Sequence, residues 1–183
     1  MTGNPDEELV QVQSVAIVLF GFVLLVAQST FAHMTPWDMA VPNAALAVVL
    51  YMGLHDYNVS KGVLLSFVLG YLMDVFAGSP MGLFTFVTVA VFLVSKVAAL
   101  RLFLQGWIFE IILTFFLSLV ASGLILFVRA LFDQDFVSLL THLKIVVSRA
   151  VMTALVAPFV FRGMTWLERV TTRRKIGGKV LRG

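Results

Sequence analysis

The chain has 183 residues, of which 60% are hydrophobic and only 13% are charged, and its mean hydropathy is +1.00. A water-soluble core of this size cannot bury that much apolar surface, so the composition indicates a single-domain integral membrane protein. Cysteine is absent, which excludes disulfides, thiolate metal sites and cysteine nucleophiles. The net charge is +3, and because the bases are concentrated at one end of the chain, anionic lipid explains them better than nucleic acid.

Six apolar runs separated by polar turns predict a compact all-α bundle of six transmembrane helices, since one crossing takes about 20 apolar residues. In chain order they cover residues 9–32, 37–54, 61–77, 80–100, 105–131 and 139–161. Pro42 and Asn43 interrupt the start of the second run. The short Gly78-Ser79-Pro80 connection predicts that the third and fourth helices form an antiparallel hairpin. Residues 1–162 would form the membrane domain, and 163–183 a basic cytoplasmic tail.

The distribution of Lys and Arg predicts the orientation. Six crossings place both termini on one side, together with most of the bases: Lys61, Lys96, Arg101, Arg162, Arg169, Arg173, Arg174, Lys175, Lys179 and Arg182. The opposite side has only Arg129 and Lys144 near it. By the positive-inside rule both termini are cytoplasmic.

The tail combines an aromatic residue with several bases. Trp166, Arg169, Arg173, Arg174 and Lys175 are the pattern of a short interfacial helix that binds anionic lipid, to which each base contributes about 1 kcal/mol. The alternative is a solvated tail that sets topology and has no specific partner.

Small residues recur every four positions around the third apolar run. They are Gly62, Ser66, Gly70, Gly78 and Gly82. A stripe of this kind lets another helix approach closely, so it predicts a docking surface for a partner helix. The alternative is that glycine is simply common in membrane helices.

Asp74 and two further charges, Glu110 and Arg149, lie inside apolar segments, where an ionisable group is costly, and Glu110 is close enough to the cytoplasmic end of its helix to be interfacial. Asp74 falls near the outer end of the third helix, and Arg149 lies roughly 15 Å into the sixth at a rise of 1.5 Å per residue. An intramembrane Asp74–Arg149 ion pair would neutralise both. We favour a pair that specifies the fold over a substrate or proton path, because a path would need further acids and this interior offers none.

Short catalytic patterns do not occur in the sequence in a usable context. There is no His-Glu-x-x-His, no Gly-x-Ser-x-Gly and no phosphate-binding loop ending in Lys-Ser or Lys-Thr. His33 and His142 fall near one face of the membrane and His55 near the other, so they cannot converge on one metal. We therefore expect a non-enzymatic protein without a metal or cofactor.

The segment from Gly70 to Leu83, with Asp74 and then Gly78-Ser79-Pro80-Met81-Gly82-Leu83, resembles the rod shape-determining protein MreD family. The resemblance implies an inner-membrane scaffold subunit of the bacterial cell-elongation complex that supports peptidoglycan synthesis. It also implies the partners MreC, MreB, RodA and a class B penicillin-binding transpeptidase. The implied fold is similar to the substrate-capture subunits of energy-coupling vitamin transporters.

The main alternative is a solute-capture subunit of such a transporter. Those subunits usually carry an Ala-x-x-x-Ala docking motif in the first helix. Here Ala16 is followed four residues later by Phe20, and Ala27 by Phe31, which disfavours this reading. A proton-linked carrier is a further alternative.

Overall fold

The computed structural model describes residues 5–34, 42–55, 57–77, 81–101, 107–132 and 139–180, which form six α-helices. These are α1 (Pro5–Met34), α2 (Ala44–Leu54), α3 (Val59–Ala77), α4 (Leu83–Arg101), α5 (Trp107–Phe132) and α6 (Leu139–Val180). The all-helical prediction is confirmed. By length and composition, every helix except α2 can cross a membrane.

The second helix is shorter than the sequence predicts. It begins at Ala44 rather than at residue 37, because the Asn43 side chain accepts a hydrogen bond from Leu46 N at 3.0 Å and caps the helix start. Residues 37–41 lie outside the described part of the chain. The 11 residues of α2 span about 16 Å, roughly half of a hydrocarbon core. The structure thus supports five full-length spans and one short helix.

Although α2 is short, it lies at the centre of the bundle. Every residue from Ala44 to Gly53 is buried, and the helix packs against each of the other five. Because α2 is apolar on almost all sides, other helices can enclose it, and its small residues let these neighbours approach closely. At Gly53, for example, an added Cβ would overlap Oγ of Ser95 on α4. The apolar core is therefore built around α2.

Helices α3 and α4 form the predicted antiparallel hairpin. Gly62, near the start of α3, lies against the ring of Phe92, whereas Gly70, further along α3, lies against Thr85. The residue numbers fall on one helix as they rise on the other, as an antiparallel pair requires. The connection at residues 78–80 is outside the described part.

The last helix differs from the prediction of a separate tail helix. α6 runs without a break from Leu139 to Val180, so no helix ends at residue 161. The packed bundle extends past residue 161, since Met164 is fully buried and Leu167 packs against the core. Trp166, by contrast, is 64% exposed.

Arg169 is also exposed, like Trp166, in this continuation of α6. The side chains of Arg173, Arg174 and Lys175 lie outside the described part of the structure. Contact of these residues with anionic lipid stays a prediction.

Candidate functional site

The carboxylate of Asp74, on α3, caps the start of the neighbouring helix α4. Asp74 lies on α3 and is only 2% exposed. Its Oδ1 accepts a hydrogen bond from Phe84 N at 2.8 Å, and its Oδ2 accepts from Gly82 N at 3.0 Å and from Thr85 N at 3.1 Å. The Thr85 hydroxyl adds a fourth bond to Oδ2 at 2.6 Å. Because the first N–H groups of a helix have no partner within it, Asp74 supplies what the start of α4 needs.

The turn before α4 requires glycine. Gly82 has a φ of +99°, a conformation that side-chain-bearing residues rarely adopt. In this position its N–H reaches Asp74 while its carbonyl accepts from Phe86 N at 2.9 Å. The Asp and Gly of the Gly70–Leu83 motif therefore act together to lock the hairpin.

Three members of the stripe, Gly62, Ser66 and Gly70, lie against α4 of the same chain. A Cβ on Gly70 would lie 2.6 Å from Thr85 Cα and 3.0 Å from Phe84 O, too close for either backbone. Ser66 is fully buried, and its carbonyl accepts a hydrogen bond from Thr88 Oγ1 at 3.0 Å. Gly62 likewise lies against the ring of Phe92. At these three residues, α4 of the same chain therefore occupies the surface where the sequence predicts a partner helix.

The last two members of the stripe, Gly78 and Gly82, have no close contact with α4 that the structure describes. A Cβ at Gly82 would meet no heavy atom within 4 Å, so this glycine serves the turn rather than a close approach. Gly78 lies outside the described residues. For the described members, the requirement for small side chains therefore comes from the hairpin.

Arg149 lines a cavity of about 220 Å³, which we call the Arg149 cavity. Met73 and Phe84 also line it, and they adjoin Asp74 and Thr85 in sequence. The contacts that the structure shows for the Asp74 carboxylate go to the start of α4. The Asp74–Arg149 ion pair stays a prediction.

A second polar group, the Glu168 cluster, lies at the other end of α2. The Tyr51 hydroxyl donates to Glu168 Oε2 at 2.9 Å, and the Tyr57 hydroxyl donates to Glu168 Oε1. The His55 ring stacks on Tyr51 with ring centres 3.9 Å apart, and Lys96 Nζ donates to the His55 carbonyl at 2.8 Å. The cluster therefore ties α2 and the segment after it to α4 and α6.

Sequence reasoning missed the Glu168 cluster. Glu168 is the one acid among the many bases of residues 163–183, and that exception was the available signal. Burial, and then the hydrogen bond to Glu168, raise the pKa of Tyr57 above its usual value near 10. Tyr57 thus keeps its proton and donates at all ordinary pH values.

We expect Glu168→Ala to destabilise the bundle, because it removes the acceptor of the Tyr57 hydroxyl and one of two partners of the Tyr51 hydroxyl, the other being Thr165 Oγ1 at 3.3 Å. A buried polar group left unsatisfied costs about 1–3 kcal/mol. Arg169→Ala, next in the chain but exposed, is the matched control and should leave stability nearly unchanged. Denaturant unfolding in detergent, followed by circular dichroism, measures both. Equal stability of the two variants would contradict the role of the cluster.

The described residues hold no group of three or more His, Cys, Asp or Glu side chains placed to bind a metal ion. Three polar side chains of the described residues instead connect different helices to one another. Asp74 joins α3 to α4, Glu168 joins α6 to α2, and Thr153 Oγ1 on α6 accepts from Asn43 N at 3.0 Å.

A bundle of membrane-length helices around one short buried helix, joined by buried polar contacts, defines an all-α integral membrane protein. The chain belongs to the rod shape-determining protein MreD family, whose model matches residues 8–165. The match covers most of the chain and includes the whole Gly70–Leu83 motif, which confirms the resemblance. Comparisons with curated proteins and with solved structures returned no significant match.

Proposed function

We propose that this protein is a non-enzymatic scaffold subunit of the bacterial cell-elongation complex in the inner membrane, where it docks transmembrane helices of partner proteins. The observation that carries the proposal is membership of the MreD family over residues 8–165, which implies a rod-shape-determining membrane protein. Within the complex the partners would be MreC, MreB, RodA and a class B penicillin-binding transpeptidase.

The outward face of α1 is the docking surface that we propose. Among the five membrane-length helices, α1 buries the smallest share of its span, because it packs inward through a narrow row that contains Ile17, Gly21 and Leu25. An exposed apolar row follows the three–four spacing by which helices pack side by side: Val12, Val15, Leu19, Phe22 and Val26.

A photo-crosslinking residue at Leu19 tests this function in growing cells, with the same residue at buried Ile17 as the control. We expect Leu19, and not Ile17, to crosslink to a membrane protein of the elongation machinery. Products with lipid alone would exclude α1 as the docking surface. Crosslinks to a coupling ATPase would instead support the solute-capture alternative.

We propose further that both termini face the cytoplasm, as the distribution of bases predicts. Because the chain has no native cysteine, single substitutions are clean probes. Asn4→Cys and Gly178→Cys should be protected from a membrane-impermeant thiol reagent in intact cells, whereas Gln134→Cys should react. Labelling of both termini in intact cells would contradict this orientation and place the termini outside the cytoplasm.

A further inference from the structure

A second cavity, of about 200 Å³, lies between the end of α2 and the helices α5 and α6, and we call it the Glu110 cavity. Three rings line it, those of Tyr51, His55 and Phe161. Two charged side chains also line it, Glu110 from α5 and Arg162 from α6. Because Tyr51 also belongs to the Glu168 cluster, the cavity is at the same end of the bundle as that cluster.

The two charges on the wall of the Glu110 cavity are opposite in sign and come from different helices. Among the described residues, neither the carboxylate of Glu110 nor the guanidinium of Arg162 has a hydrogen-bond or ion-pair partner. Arg162 is exposed, whereas Glu110 is partly buried. A ligand that carries a separate cation and anion can contact both side chains, whereas a simple ion can satisfy only one of them.

His55 adds a hydrogen-bond acceptor to the same cavity. Its Nδ1 lies 3.1 Å from the carbonyl oxygen of Tyr51. A carbonyl oxygen can only accept, so Nδ1 carries the proton of the neutral ring and Nε2 is left as an acceptor. Glu110 and His55 therefore offer acceptors to an ammonium group, while Arg162 offers donors to a phosphate group.

One face of α6 provides an apolar approach to the Glu110 cavity. Leu155, Phe159, Arg162 and Trp166 are all exposed, and their three–four spacing places them on one side of the helix. Arg162 thus lies between two apolar side chains and a tryptophan, a residue typical of the membrane–water interface. A lipid whose alkyl chains lie along Leu155 and Phe159 would bring its headgroup to Arg162.

We propose that the Glu110 cavity binds the headgroup of phosphatidylethanolamine, with the phosphate at Arg162 and the ammonium group at Glu110. The volume of about 200 Å³ holds roughly seven water-sized groups at ~30 Å³ each, enough for a headgroup but not for a whole lipid. Selectivity comes from the positions of the two opposite charges rather than from the total charge of the cavity. Phosphatidylglycerol lacks the ammonium group, and the ammonium group of phosphatidylcholine has no N–H to donate to Glu110.

Native mass spectrometry of the purified full chain, titrated with one lipid at a time, tests the proposal. The wild type should bind phosphatidylethanolamine more tightly than phosphatidylglycerol or phosphatidylcholine. Glu110→Gln, which is nearly isosteric, should weaken phosphatidylethanolamine binding at least about tenfold, as expected when a hydrogen bond to a charged group is lost. It should also abolish the preference over phosphatidylglycerol. Arg162→Gln should weaken the binding of both lipids.

Arg169→Gln is the matched control, because it removes an exposed positive charge from the same helix at a residue that is not among the described lining of the cavity. Its phosphatidylethanolamine binding should equal that of the wild type. Undiminished phosphatidylethanolamine binding by Glu110→Gln would overturn the proposal, and so would equal affinity of the wild type for phosphatidylcholine. Displacement of the lipid by an equal concentration of free phosphoethanolamine would also overturn it, because the alkyl chains would then contribute nothing.

Discussion

Replacing Asp74 by alanine should destabilise the protein by about 3–5 kcal/mol, because it leaves several hydrogen-bond donors without an acceptor and each buried donor left unsatisfied costs about 1–3 kcal/mol. The variant leaves three backbone N–H groups at the start of α4 and the hydroxyl of Thr85 without their acceptor. Because these groups are largely enclosed by the bundle, water replaces the carboxylate poorly. Denaturant unfolding of the purified chain in detergent, followed by circular dichroism, measures the effect.

A graded series separates the oxygens of Asp74. Asp74→Asn keeps one acceptor oxygen and should lose less stability than Asp74→Ala, since Oδ2 alone accepts three of the four hydrogen bonds. Thr85→Val removes only the hydrogen bond from the hydroxyl to Asp74 and should lose the least stability, about 1–3 kcal/mol. Thr85→Ser retains the hydroxyl and is the control. If Asp74→Ala is no worse than Thr85→Val, the backbone of α4 does not depend on this carboxylate.

Gly70→Ala should be the second most damaging change, with a loss of about 3 kcal/mol, near the upper end for overpacking a well-packed site. The new methyl group would lie 2.6 Å from Thr85 Cα and 3.0 Å from Phe84 O. Both neighbours belong to the helix backbone, so neither can rotate away. Relief requires α3 and α4 to move apart, which weakens the hydrogen bonds of Asp74 as well.

Gly123→Ala is the matched control, because a Cβ there would meet no heavy atom within 4 Å. In an open helix position, replacing glycine by alanine should stabilise by up to about 1 kcal/mol. Unfolding of the isolated, purified chain distinguishes the two uses of the stripe. Packing within the hairpin predicts that Gly70→Ala is destabilised without any partner. A stripe that serves only a partner helix predicts an isolated chain as stable as the wild type.

The Gly70–Leu83 motif shows how far local sequence leads. Its short Gly78-Ser79-Pro80 connection predicts an antiparallel hairpin, and its carboxylate stands out in apolar surroundings. Neither feature reveals that Asp74 reaches the backbone at residues 82 to 85. That contact depends on the left-handed turn at Gly82 and on how closely α4 lies against Gly70. From the residues alone, the sequence predicts an ion pair of Asp74 with Arg149, which stays a prediction, but not the contact of Asp74 with the start of α4.

The sequence by itself determined the membrane class, the helix order and the family, because apolar runs of membrane length must satisfy their backbone as helices. Only the tertiary structure decided that α2 is short and central, that α4 covers Gly62, Ser66 and Gly70 of the stripe, and that Glu168 contacts two tyrosines. The physical reason is distance along the chain. Tyr51 and Glu168 are 117 residues apart, and Asn43 and Thr153 are 110 apart. Hydropathy describes each helix against lipid, whereas these contacts depend on which faces of different helices meet.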